Sequence, residues 1–500
     1  MDIYKTSNDE HDFIFNEELK NQNSSESFNK ENPKYYENNP PESTKSDSIP
    51  HLRYFQSLFD KNSASDQKRI IDEITLITHS LLNFQLDDDL SHYLAYSNII
   101  ELIFNLLTNA PSREIYQVTF WLVNTLFVVS YRYQKLEIIQ TFESFNLFDF
   151  VLTRFNPNYK HFLTEDTNLK MKIDPYNYDK ELLPYYLHLL SFYCFLFDRE
   201  HRDIILKLII LPNLDFFFDD LEKNDLIIEA SYLIYRSTNY TIDDYIDYFN
   251  WMIRFVIKKW EKLDEQSQYS FLNSINNASS SKEIQEKLFT YHFQNFLQKY
   301  VIEDIKNSRD EIMSTALLLM YKLFRAHSDL IEVNYKLLIE IGISKKISSK
   351  KVAFALFREA LKLRKEDSPL GDDSFFEYFM EKFSGGSFDI KYEFISIIGE
   401  WILNSSQKII LERAPILIPE ITSVLLEVSV TDQLNFLILQ QLKIFFQNAE
   451  KIPKVFLNLK EIFEEADGVN ILEAIAQDIE SPQDNSDLAQ ILLSYWNINI

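Results

Sequence analysis

Between Asn98 and Leu126 the chain reads NIIELIFNLLTNAPSREIYQVTFWLVNTL. Ile99, Ile100, Ile103, Leu106 and Leu107 fall at spacings that put them on one face of a helix. Pro111 and Ser112 break that helix and open a second one, which carries Val118, Phe120, Trp121, Val123 and Leu126 with the amide of Asn124 among them. Neither helix can bury its apolar face alone, so the pair predicts a unit that stacks on copies of itself.

The copies recur. Apolar helical faces are centred near Phe120, Phe192, Tyr232, Phe271, Leu318, Phe354 and Ile397, and the intervals after Phe192 are 40, 39, 47, 36 and 43 residues by subtraction. Helical repeats of the armadillo and HEAT kind have periods of about 40–47 residues. The first interval, 72 residues, is too long for one unit, and its excess lies in NPNYKHFLTEDTNLKMKIDPYNYD, which predicts an insertion at about 156–180. Upstream, helical patterning starts near Ile49, with Ser63–Asp66 as a helix entry of the capping-box kind. Residues 1–49, rich in Asn, Ser, Glu, Lys and Pro, predict a disordered acidic tail.

Composition sharpens the class. Hydrophobic residues make up 46% of 500, enough for a large core, yet there are only six glycines and none before Gly342. Hairpin-rich β architecture needs glycine at positive-φ turns, so the reading is all-helical. Neither GxGxxG nor GxxxxGK occurs, and no cofactor is expected. HExxH, CxxC and GxSxG are also missing, so neither a zinc site nor an enzyme has a sequence framework. The single cysteine, Cys194, sits in an apolar run where a buried structural thiol is expected. A net charge of −26 repels nucleic acid and anionic lipid and attracts basic partners, or simply keeps an aromatic-rich chain in solution. With no signal-peptide pattern and no apolar run of spanning length, the expected location is cytoplasm or nucleus, without a membrane partner.

The stretch around Phe120 resembles an armadillo repeat, and more narrowly a repeat of importin alpha, the adaptor for nuclear localisation signals. Those repeats carry an aromatic on the third helix and an asparagine four residues on, here Phe120 and Asn124, with Trp121 one place late. The chain also ends like that family's terminal repeat: Ile491 and Leu492 precede Tyr495 and Trp496. The resemblance covers roughly residues 50–496 and implies a right-handed α-solenoid with a C-terminal capping repeat. It further implies a concave groove in which aromatics hold lysine or arginine stems and asparagines hold an extended peptide backbone.

Carried across the repeats, the family pattern thins. Tyr232 is followed by Arg236, Phe354 by Arg358, Phe271 by Ile275 and Phe192 by Leu196. Phe120, Trp121, Asn124, Tyr232, Arg236, Phe271, Phe354 and Arg358 are the candidate peptide-binding residues, and inter-helix core is the alternative for the aromatics. The two arginines would repel a basic signal by on the order of a few kcal/mol, and would suit acidic or C-terminal ligands; the alternative for them is a solvated face or an ion pair within one repeat, with a neighbour such as Glu229. The family's importin-beta-binding arm is strongly basic, whereas the lysines of residues 1–49 are isolated, which argues against importin beta docking. Two functions follow: an importin-alpha-like adaptor, or an interaction scaffold that kept the solenoid and lost nuclear-signal recognition.

Overall fold

A computed structural model describes residues 52–53, 67–83, 88–155, 159–160, 182–197, 199–218, 227–231, 233–234, 246–305, 308–364, 369–429 and 432–496. The tail, the Ser63–Asp66 entry, nearly all of the 156–180 insertion, and the candidates Tyr232 and Arg236 lie outside them. Every regular element among the described residues is helical, with 23 α-helices and no strand. The contacts divide the chain into one unit ending at Ala278 and another starting at Ser279.

The first unit holds α1 (Gln67–Asn83), α2 (Asp88–Tyr96), α3 (Ile99–Thr108), α4 (Arg113–Arg132), α5 (Leu136–Ser144), α6 (Leu147–Phe155) and α7 (Leu183–Leu196). After these come α8 (Arg199–Ile204), which runs through a π-helical turn and a 3-10 turn into α9 (Leu214–Phe218), then α10 (Ile246–Lys259) and α11 (Glu265–Ala278). The helix pair read from the sequence is α3 and α4. Ile99, Ile100, Ile103, Leu106 and Leu107 of α3 are all buried, and the Ser112 hydroxyl accepts from the backbone N of Ile115 at 3.3 Å, capping α4. Helix α4 packs against α1, α3, α5 and α7, so it is buried on several sides at once. With no glycine available, Gln134 and Asn146 take the left-handed backbone at the turns flanking α5, at φ 57° and 58°.

The second unit starts with α12 (Lys282–Thr290) and α13 (Phe293–Leu297), followed by α14 (Asp310–Ala326), α15 (Tyr335–Ser344), α16 (Ile347–Leu363), α17 (Asp373–Ser384) and α18 (Phe388–Asn404). It continues with α19 (Gln407–Glu427), α20 (Gln433–Ala449), α21 (Pro453–Glu465), α22 (Gly468–Gln477) and α23 (Gln483–Leu493). The helices α14, α16, α18, α20 and α23 pack in succession, each on the next, while the others lie between them in sequence. Their starts are 37, 41, 45 and 50 residues apart by subtraction, so the sequence period corresponds here to a real succession of packed helices.

Polar side chains fix the register of that succession. Asp310 Oδ1 accepts from the backbone N of Lys346 at 3.2 Å, and its carbonyl accepts from Ser349 Oγ at 3.0 Å, tying the start of α14 to the start of α16. At the other end Arg364 donates to the carbonyls of Ser328 (2.6 Å) and Ile331, which follow α14. Gln441 of α20 donates to the Ile395 carbonyl of α18 at 2.8 Å, in the space left open by Gly399. The last turn closes the unit: Tyr495 and Trp496 cover Phe446, which also meets Phe456 and Phe463.

Candidate functional site

The structure buries four of the six candidates among the described residues. Phe120 is fully buried, its ring centroid 4.5 Å from that of Tyr186 and 6.2 Å from that of Tyr116. Asn124 is 2% exposed, and its Nδ2 is spent on the Phe120 carbonyl at 3.0 Å. The pair expected to hold a peptide therefore faces the packed interior of α4, because α1, α3, α5 and α7 surround that helix. Trp121, one place along, is half-buried with its ring edge-on to His79 at 5.2 Å.

Phe271 and Phe354 repeat this correction. Phe271 is buried in a ring cluster with Phe218 and Phe255, at 5.4 and 5.5 Å. Phe354 is buried against Phe394 at 5.9 Å and lies over Gly342, where an added Cβ would come within 2.3 Å of its ring. Phe120, Phe271 and Phe354 are thus core residues, the alternative reading of the aromatics. Trp401 is fully buried as well, and Cys194 is a buried thiol.

Arg358 is different: it lies on an open strip. Along α16 the positions Ile347, Lys351, Ala355, Arg358 and Lys362 follow helical spacing and stay exposed or half-buried, flanked by half-buried Ser348, Lys350 and Glu359, while Val352, Ala353, Phe354, Leu356, Phe357, Ala360 and Leu361 are buried. On α18, Tyr392, Glu393, Ser396, Glu400 and Leu403 form a matching strip, and α14 adds Leu318, Tyr321, Lys322 and Arg325. Ion pairs cross between these strips. Arg325 Nε is 3.4 Å from Glu359 Oε1, and Arg358 Nη1 is 2.5 Å from Glu393 Oε2. The positive charge expected of Arg358 is therefore shared with a carboxylate of the next long helix.

Glu400 is the carboxylate of this face with the most perturbed setting. Burial raises its pKa, partly offset by the hydrogen bond from Asn404 Nδ2 to its Oε1 (2.8 Å) and by the positive charges of Lys362 and Arg358. Tyr392 is likewise raised, mainly by burial. Reading by repeats singled out neither Glu393 nor Glu400. The Glu400–Asn404 spacing of four was visible, but the partner of Arg358 lies 35 residues away and only the packing brings it near. The arrangement offers charge, hydrogen bonds and some apolar surface along helices, and no nucleophile paired with a base.

Among the described residues no group of three or more His, Cys, Asp or Glu side chains is placed to hold a metal, and no helix is long and apolar enough to cross a membrane. Comparisons of the sequence with protein-family models and with curated proteins find no match.

Proposed function

We propose that this chain is a helical-repeat interaction scaffold of the armadillo type, a right-handed solenoid that binds a segment of another protein along the exposed strips of α14, α16 and α18. One observation carries the reading. The long helices of the second unit pack in succession, and α14, α16 and α18 expose strips of charged and polar residues with apolar points between them, whereas the described aromatic–asparagine candidates are core. A surface of half-buried charges with apolar points between them binds by complementary charge and modest apolar burial, not by catalysis. Its expected place is the cytoplasm or the nucleus.

The second reading, an importin-alpha-like adaptor, is favoured by Glu400, a carboxylate whose hydrogen-bond partner is an amide and which would gain from a ligand lysine or arginine. Selection from a displayed library of random peptides against the full chain separates the two. The scaffold reading expects enriched peptides that lose binding on Arg358→Glu and show no common Lys-rich motif. Enrichment of Lys-rich signals that depend on Glu400 would support the adaptor instead, and peptides indifferent to both positions would sink the strip as the binding face.

A further inference from the structure

The chain carries a net charge of −26, yet KKISSKK, residues 345–351, places four lysines within seven positions and no carboxylate. This segment opens α16, whose first turn contains no acidic residue. Cations are disfavoured at that end of a helix, so local stability does not account for them. Lys345 is used internally, donating to the Ser308 carbonyl at 2.6 Å. Lys346 and Lys351 are exposed and Lys350 is half-buried. Among the described residues no carboxylate lies within ion-pair distance of Lys346 or Lys350. Asp310 is close by, but it is 8% exposed and its carboxylate is taken up by the Lys346 backbone N–H and the Ser348 hydroxyl.

Between these lysines stands Ile347, 62% exposed. The same face of α16 continues through Lys351, Arg358, whose charge is shared with Glu393, and Lys362. From Ile347 to Lys362 the helix rises about 22 Å, the length of about seven extended residues.

We infer that this face of α16 docks a short acidic peptide segment, about seven residues long, with an apolar side chain set against Ile347. This rests on the reading of the long-helix strips as the binding face, and adds the sign of the ligand's charge and the place of its apolar contact. Charge complementarity selects the occupant. A long polyanion such as nucleic acid would extend past the patch into the field of an acidic protein, and a phosphate backbone has nothing to offer Ile347.

The test is fluorescence anisotropy on the full chain with the labelled peptide Glu-Asp-Glu-Leu-Glu-Asp-Glu at low salt. Saturable binding is expected, weakened about tenfold or more by Lys346→Glu with Lys350→Glu. Replacing the peptide leucine by glycine, or Ile347 by serine, should weaken it by about fivefold. The neutral pair Lys346→Gln with Lys350→Gln, with an unchanged melting curve, separates charge from folding. No saturation by about 1 mM, where even a weak −4 kcal/mol contact would show, overturns the proposal. Equal or tighter binding of a single-stranded oligodeoxynucleotide also overturns it. Sensitivity to Arg358→Glu without sensitivity at Lys346 and Lys350 keeps the strip and refutes this placement.

Discussion

Asp310, the first residue of α14, caps the start of α16 from the preceding long helix: its Oδ1 lies 3.2 Å from the backbone N of Lys346. A helix N-terminus leaves donors unsatisfied, and here the acceptor comes from 36 residues upstream instead of from α16 itself. Asp310→Ala should therefore destabilise the second unit by about 1–3 kcal/mol, the cost of a lost cap and a lost buried acceptor. Asp310→Asn should recover part of it. Urea unfolding of both variants checks this; an unchanged midpoint for the alanine variant contradicts the capping role.

Glu400 supplies a pH dependence with a definite sign. Burial raises its folded pKa above the ordinary glutamate value, so the ionised form is disfavoured in the folded state. The stability it contributes is full below the unfolded pKa and is lost as pH rises through the higher folded value. Glu400→Gln, which can still accept from Asn404, should melt higher than the parent at pH 7 and equal it near pH 4. Equal melting temperatures at both pH values would sink the assignment.

The Arg358–Glu393 pair joins α16 to α18 at 2.5 Å, with the arginine side chain about one third exposed and the glutamate 16% exposed. Partial screening limits its worth, so a double-mutant cycle to alanine should give a coupling of about 0.5–2 kcal/mol. A coupling indistinguishable from zero would mean that Arg358 is free to meet a ligand without competition.

Gly342 and Phe354 test whether the aromatic candidate belongs to the core. Since a Cβ at 342 would lie 2.3 Å from the ring, Gly342→Ala should cost about 1–3 kcal/mol through overpacking, despite alanine's better helix propensity. Phe354→Ala should cost about 3–5 kcal/mol. If chemical denaturation showed Phe354→Ala to be neutral, the ring would have to be surface, not core.

The C-terminal turn supplies a further stability test. Tyr495 and Trp496 cover Phe446, and Lys460 Nζ donates to the Tyr495 carbonyl at 3.0 Å. Ending the chain after Leu493 should expose Phe446 and Phe463 and destabilise the second unit by roughly 2–4 kcal/mol. A truncated chain with the parent's unfolding curve would show that the turn caps nothing.

Helix positions were legible in the sequence because periodicity and punctuation agree on them, as at Ile103, Leu107, Pro111 and Ser112. Orientation was less so. In α4 the run Leu122–Phe127 is buried without interruption, so period alone could not say which side faced a groove, and Phe120 with Asn124 was assigned outward. The partners of Arg358 and Asp310 are 35 and 36 residues away, and their bonds depend on how one repeat sits on the next. Charge sign along a strip could be counted beforehand, but which charges neutralise one another could not.

In the proposed function, ligands meet the charged strips of α14, α16 and α18, and not an aromatic–asparagine ladder. The most direct measurement is anisotropy of a labelled monopartite Lys-rich signal peptide titrated with the full chain, alongside its Asn124→Ala and Arg358→Glu variants. The account predicts no saturable binding of that peptide by tens of micromolar, a weaker interaction than roughly −6 kcal/mol, in any of the three proteins. Micromolar binding that survives Arg358→Glu and is lost in a correctly folded Asn124→Ala variant would contradict it.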